Sequence, residues 1–382
     1  MSRSIRWAVA FFMGLMLGIP PSVRAVEWRG LMTGWASGGF REEVRPLFGF
    51  RYIPSVSVGK SWRNGWSLDM DLSVNAYGSA HVVSRDDIRT DGRVKPYRGW
   101  LRLSGSRFEA RIGLQKINFG SASILRPLMW FDTLDPRDPL QLTDGVYAAL
   151  VRYFFQNNAN IWLWGMLGND DARGWDALPS DSGSPEFGGR VQLPVPRGEM
   201  AVTYHQRRID LDASGLFPFP PMEPPIPERR LALDGKWDVG VGCWIEGTLT
   251  HQDTNWIPQP WRRALNLGMD YTFGLGNGVH LMGEMFWLQS SDKAFSAGEG
   301  IRMTAVSLNY SLSLLDNLSA IIYYDWENRE LYRFINWQRS YDRWRFHAIV
   351  YWNPDDFRIY RTGSGDELFT GAGFQLMAVF NY

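Results

Sequence analysis

Charged side chains recur in this chain at alternate positions, and that spacing limits the chemistry they can do. Asp69 and Asp71 stand two apart, as do Arg107, Glu109 and Arg111, while Arg98 and Arg102 keep the same parity and Arg152 follows further along. Alternate residues of an extended strand point to one face. Each run therefore displays charge on one side and, around the aspartates, Leu68, Met70, Leu72 and Val74 on the other. Two aspartates turned into a dry core are costly, whereas a water-filled interior accepts them. Carboxylates and guanidinium groups arrayed this way do non-covalent chemistry: they pair across strands and set a field on polar solutes. Arg98, Arg102, Arg111 and Arg152 make the basic side of that array, and Asp69, Asp71 and Glu109 the acidic side. Arg190, Asp234, Lys236, Glu246, Asp270, Glu284, Asp325, Arg343 and Arg345 continue the pattern. A solute filter and a set of mutually neutralised charges that fill an interior are both compatible with it.

Covalent chemistry finds little support. The chain has five His, of which His251 with Asp253 sits near the end of one predicted strand, with His205 at a similar height, a pair that suits a general base and its orienter. No Gly-x-Ser-x-Gly or His-Glu-x-x-His spacing accompanies them. Cys243 is the single cysteine, which excludes an intrachain disulfide and any multi-Cys metal or haem motif. We therefore expect no catalytic residue, cofactor or metal. The 40 basic and 40 acidic residues give no basic excess of the kind a nucleic-acid binder carries.

The longest interruption runs from Gly120 to Gly145 and holds Arg126, Pro127, Leu128, Met129, Trp130, Phe131 and Asp132, then Asp135-Pro136-Arg137-Asp138-Pro139. A loop of this length is usually functional or disordered, and its apolar content argues for burial. It is expected to fold inward as a constriction built on Trp130, Phe131, Asp132, Arg137 and Asp138; packing over the rim is the other placement.

The elements that would carry these residues are strands. Trp66 to Tyr77 alternates over twelve residues, a period that no helix shares. Tight turns rich in Gly and Asn recur at 63–65, 104–106, 156–158, 196–198, 239–242, 274–278 and 314–317. Longer polar linkers fall near 80–95, 120–145, 168–185, 211–228, 252–262, 289–300 and 328–341, and Phe217 to Pro227 reads as a stiff Pro-rich loop. Fifteen strands are expected up to Trp326, then Arg343 to Trp352, a short Phe357 to Arg361, and a closing strand. That totals about 18, with 16 if Phe357 to Arg361 belongs to a loop. Residues 26–382 show no composition shift and form one domain.

Met1 to Ala25 has the plan of a secretory signal: Arg3 and Arg6, an apolar run from Trp7 to Ile19, the Pro20-Pro21 break, and Ala25 as a small residue for cleavage. The run is too short for a spanning helix. The signal holds three Arg and no acid, so the remainder carries 37 basic against 40 acidic residues, a formal charge of −3. At the other end, Ala372, Phe374, Leu376, Ala378, Phe380 and Tyr382 form one apolar face. A closing strand that ends on an aromatic resembles the C-terminal strand of bacterial outer-membrane barrels. That resemblance implies recognition of Tyr382 by the barrel-assembly machinery, a lipid-embedded exterior and an outer-membrane location. The 19 Trp and 15% aromatic content suit interfacial girdles. The fold class is all-β, a transmembrane antiparallel up-and-down barrel of about 18 strands.

One segment adds a family resemblance. Arg111-Ile112-Gly113-Leu114-Gln115-Lys116-Ile117-Asn118-Phe119-Gly120, followed by the Asp-Pro-rich loop, resembles outer-membrane porins of the alginate-export type. Leu114 replaces a common basic residue there, and Phe119 a common Trp. The resemblance implies 18 strands and an Arg-lined lumen for a polyanion, although the mixed charge of this lumen departs from that. The expected function is a porin passing small polar or anionic solutes by passive diffusion. A homotrimer is compatible with it. The alternatives are an adaptor barrel that houses a periplasmic partner, for instance a cytochrome in an electron conduit, and, lower still, a rim hydrolase.

Overall fold

The computed structural model describes residues 26–40, 46–84, 87–211, 225–254, 256–354 and 369–382. Its elements are β1 (Glu27–Gly39), β2 (Leu47–Ser61), β3 (Ser67–Ser84), β4 (Asp87–Ser104), β5 (Phe108–Gln115), β6 (Val146–Phe154), β7 (Asn160–Met166), β8 (Glu186–Val195), β9 (Gly198–Ile209), β10 (Ile226–Asp238), β11 (Gly242–Gln252), β12 (Trp261–Phe273), β13 (Val279–Ser291), β14 (Glu299–Ser311), β15 (Asp316–Asp325), β16 (Glu330–Ser340), β17 (Trp344–Trp352) and β18 (Ala372–Asn381). Every strand pairs antiparallel with its sequence neighbours, and β18 returns to β1 from Leu31↔Asn381 to Gly39↔Gly373. The result is a closed up-and-down barrel of 18 strands, with no helix among the described residues. Closure removes sheet edges, so each strand can turn one face outward and one inward.

The sequence pattern decides which face is which. On β18 Phe374, Leu376, Ala378 and Phe380 point out, while Gln375, Met377 and Val379 point in and are buried. On β3 Leu72 and Val74 point out, and Asp69, Asp71 and Ser73 point in. The outer surface keeps large apolar side chains exposed around the circumference, including Ile112, Leu163, Phe187, Leu231 and Met269. The connections are short at the barrel end that holds both Val26 and Tyr382, where Asn158 and Arg197 take positive φ, and mostly longer at the opposite end, those after β3 and β15 excepted.

The count of 18 agrees with expectation, but its makeup does not. Residues 328–341, read as a linker, contain β16. Both faces of that strand carry large apolar residues, Tyr332 and Phe334 buried inside and Leu331, Ile335 and Trp337 outside, so alternation was concealed. The linker expected at 80–95 is likewise strand, since β3 and β4 run to Ser84 and from Asp87. There Arg89, Asp91, Arg93 and Lys95 face inward, and the polar composition masked a period of two. Phe357 to Arg361, residues 1–25 and 217–224 of the Pro-rich run lie outside the described residues; Ile226 and Pro227 of that run begin β10.

Candidate functional site

The interior is organised by residues 116–145, which leave β5 at Gln115 and rejoin the wall at Val146. The segment does not cap the rim. It crosses the lumen and is fixed to the far wall through its main chain. Glu246 on β11 accepts hydrogen bonds from the N–H groups of Ser121 (2.8 Å), Ala122 (2.9 Å) and Leu128 (2.6 Å). Glu284 on β13 accepts from Ser123 (2.7 Å), Ile124 (3.1 Å) and Leu125 (2.6 Å). Asn266, on the strand between, donates to the Leu125 carbonyl and to Glu284. These bonds are buried, so breaking one would leave an N–H unpaired away from water. Gly120 makes the entry turn at φ +104°, and a Cβ there would lie 2.6 Å from Glu246 Oε2.

The side chains then fill the interior. Phe119, Trp130 and Phe131 pack with Trp164, Met166 and Leu150 of the near wall, and Ile124 and Leu125 pack with Phe286, Met303 and Tyr323 of the far wall. Arg126 pairs with Asp132 at 2.9 Å and donates to Asn118. Arg137 pairs with Asp135 and lies over the rings of Phe334 and Phe369. Asp138 accepts from the Leu140 N–H (2.9 Å), and burial pushes its carboxyl above the usual range. Of the residues expected at a constriction, Trp130, Phe131, Asp132 and Arg137 thus lie inside the barrel, buried in contacts.

A second inward segment, residues 167–185, braces the first. Gly174, at φ +52°, lies so close to the Met129 backbone that a Cβ would meet its carbonyl oxygen at 2.3 Å. Asp176 bonds Arg207 (3.2 Å), Arg230 (2.7 Å) and Arg262 (2.5 Å) on β9, β10 and β12. Burial alone would raise the Asp176 carboxyl, but the three guanidinium groups outweigh it and hold it below its ordinary value.

The charged array lies toward the short-turn end, on the inner face of β3 to β6. Asp69, Arg102 and Arg111 stand side by side at adjacent register positions, and Glu109 faces Arg152. Arg102 bonds Asp69 at 3.0 Å, Arg111 bonds Glu109 at 3.0 Å, and Arg152 approaches Glu109 at 3.7 Å. Trp100 lies beneath Arg102 and Arg111, and Trp162 beneath Arg152. Asp71 accepts from Ser57 at 2.8 Å. Arg98 sits higher, donating to the Thr143 carbonyl at 2.9 Å, and so ties the wall to the root of the loop. Arg102 and Asp69 keep 33% and 27% of their side-chain surface in solvent, so pairing has not removed them from water.

The structure therefore brings Asp69, Asp71, Arg102, Arg111, Glu109 and Arg152 onto one face, with Arg98 above them at the loop root. The histidines are not brought together. His251 faces outward against Trp261, whereas His205 faces inward and is bonded to Glu186 (3.0 Å) and Trp164. These two histidines therefore lie on opposite sides of the wall. Sequence reasoning placed Glu246 and Glu284 on the inner face but missed their role as loop anchors. It missed Asp176 altogether, which carries no periodic signal.

No protein-family model matches the sequence, and no curated relative matches it. Solved structures resemble the fold. OccAB4 of Acinetobacter baumannii matches with a TM-score of 0.59 at 9% identity, over 95% of this chain and 100% of that one. OccD3 (OpdP) of Pseudomonas aeruginosa matches at 0.57 and 8%, over 94% and 91%. OmpT of Vibrio cholerae, an outer membrane protein in a trimer form, matches at 0.52 and 11%, over 94% and 99%. At such identities the likeness is one of architecture.

Proposed function

We propose that the protein is an outer-membrane channel through which small polar or anionic solutes diffuse passively, with no chemical step. The observation that carries this reading is the inner face of β3 to β6. There, charged side chains lie in register inside a closed barrel, in pairs that retain contact with water. Arg98, Arg102, Arg111 and Arg152 outnumber the acids beside them and favour anions, while the folded-in segment 116–145 narrows the path they line. The apolar exterior fits a bilayer, and a neighbour that is itself an outer membrane protein agrees with that location. In this reading residues 1–25 are an export signal and Tyr382 is presented to the assembly machinery. A trimer, the form of that same neighbour, is a natural arrangement. Kinship with alginate-export-type porins rests on Arg111 to Gly120, the end of β5 and the root of the inward loop.

The tight filling of the interior by Trp130, Phe131 and Arg126 favours one second reading, a sealed adaptor barrel that serves a periplasmic partner. Conductance of the refolded protein in a planar bilayer under a salt gradient separates the two. Discrete steps with an anion-selective reversal potential support the channel. A folded but silent barrel overturns it in favour of the adaptor.

A further inference from the structure

The outer face carries a charge asymmetry that a passive lipid contact does not require. At the long-loop end, β9, β10, β12, β14 and β16 turn Arg208, Arg229, Arg263, Arg302 and Arg333 outward. Arg229, Arg263 and Arg333 border the apolar band. Two residues further in along their strands stand Leu231, Leu265 and Ile335 for Arg229, Arg263 and Arg333. No Asp or Glu side chain faces outward from the described strands at this end. Glu327, in the connection after β15, pairs with Arg302. The other outward charges of the described strands, Lys60, Asp316 and Arg339, lie at the short-turn end. The remaining strands, β17 through β1 to β8, present no outward charge at the long-loop end.

We propose that this arc of arginines is a binding site for phosphate-bearing glycolipid headgroups of the lipid A type, in the leaflet that meets the long-loop end. The proposal rests on the membrane location read above but not on conduction. A guanidinium at the edge of an apolar belt lays its stem on hydrocarbon and extends its charge to the headgroups. Its fork then matches phosphate oxygens two at a time. Neighbouring strands lie about 4.7–4.9 Å apart, so an arginine on every second strand recurs roughly every 10 Å. That spacing suits a headgroup with two separated phosphates better than a single phosphodiester. Arg208, Arg229 and Arg333 are exposed. Trp326 and Trp352 flank Arg302 and Arg333, as aromatic residues do at a headgroup boundary.

The test uses the refolded protein of residues 26–382, equilibrated in mixed micelles with either lipid A or phosphatidylglycerol and then passed through lipid-free detergent. Wild type is expected to retain lipid A and little phosphatidylglycerol. The triple variant Arg208→Gln, Arg229→Gln, Arg333→Gln is expected to retain at least five-fold less lipid A, with heat-modified gel mobility confirming that it is folded. Arg102→Gln, which changes an inward residue, should retain lipid A like wild type. Equal retention by wild type and triple variant overturns the proposal, as does equal retention of the two lipids by wild type, which would indicate general anionic attraction. If the triple variant keeps wild-type conductance, loss of lipid A is separated from any failure of the channel reading.

Discussion

Glu246 and Glu284 stand on the strands flanking Asn266 and between them accept hydrogen bonds from six backbone N–H groups of the inward segment, those of residues 121–125 and 128. Two wall carboxylates thus hold a loop that begins on the far side of the barrel. The loop's own sequence supplies the filling, while its position is set by acids more than a hundred residues downstream.

Removing both acids should free the segment. A buried N–H left without its acceptor costs about 1–3 kcal/mol. Glu246→Ala with Glu284→Ala is expected to give a folded barrel with larger, noisier single-channel conductance and faster proteolysis within 116–145. Conductance identical to wild type would show that this segment does not limit the path.

The array beside the loop makes a separate claim. Arg102→Ala with Arg111→Ala removes two cations and leaves Asp69 and Glu109 without their nearest partners. The reversal potential should move toward cation selectivity while the barrel remains folded. An unchanged potential would remove both residues from the filter.

The outer face is tested by Leu72→Arg. Leu72 points outward, opposite Val56 and Gly99 on the neighbouring strands. A basic residue near a bilayer midplane costs about 2–4 kcal/mol. The variant should fold poorly into lipid vesicles, read as loss of the heat-modifiable band, yet be tolerated better in detergent. Wild-type folding yield in vesicles would place Leu72 outside the apolar belt.

Acid should loosen the second inward segment first. Asp176 is held below its ordinary value near 3.8 by Arg207, Arg230 and Arg262 against the opposing effect of burial. A carboxylate depressed on folding contributes stability that is fully present above the ordinary value and is lost as pH falls through the depressed one. Protease sensitivity within 167–185 should therefore stay low at neutral pH and rise only below about pH 4. Asp176→Asn should show the raised sensitivity at neutral pH and little further change in acid. A wild-type cleavage rate unaffected by pH would rule out this restraint.

Much of the barrel was legible because a period of two needs only one clean face. β3 and β18 declared themselves that way, and with them the inward direction of Asp69 and Asp71. β16 did not, because Tyr332 and Phe334 make its inner face as apolar as its outer one where they meet the inward loop and its neighbours. The upper parts of β3 and β4 were hidden by the opposite cause, since Gly78, Ala80, Thr90 and Gly92 are too small or polar to mark a lipid side. At the site, parity showed that Glu246 and Glu284 face inward. It cannot say which backbone meets them, because that depends on the path of a loop with no period.

The way the inward segment is held has an evolutionary consequence. An N–H is common to every amino acid except proline, so a clasp made of wall carboxylates and backbone does not read the identity of the residues it grips. The half-buried Ser121 and the exposed Ser123 can be exchanged for residues of another size or charge while the clasp persists. Passage through the barrel can then diversify by drift in one short stretch, with the scaffold untouched. The forbidden change is narrow: a proline at 121–125 or 128 deletes a donor, and its descendants would lose the segment's placement in a single step.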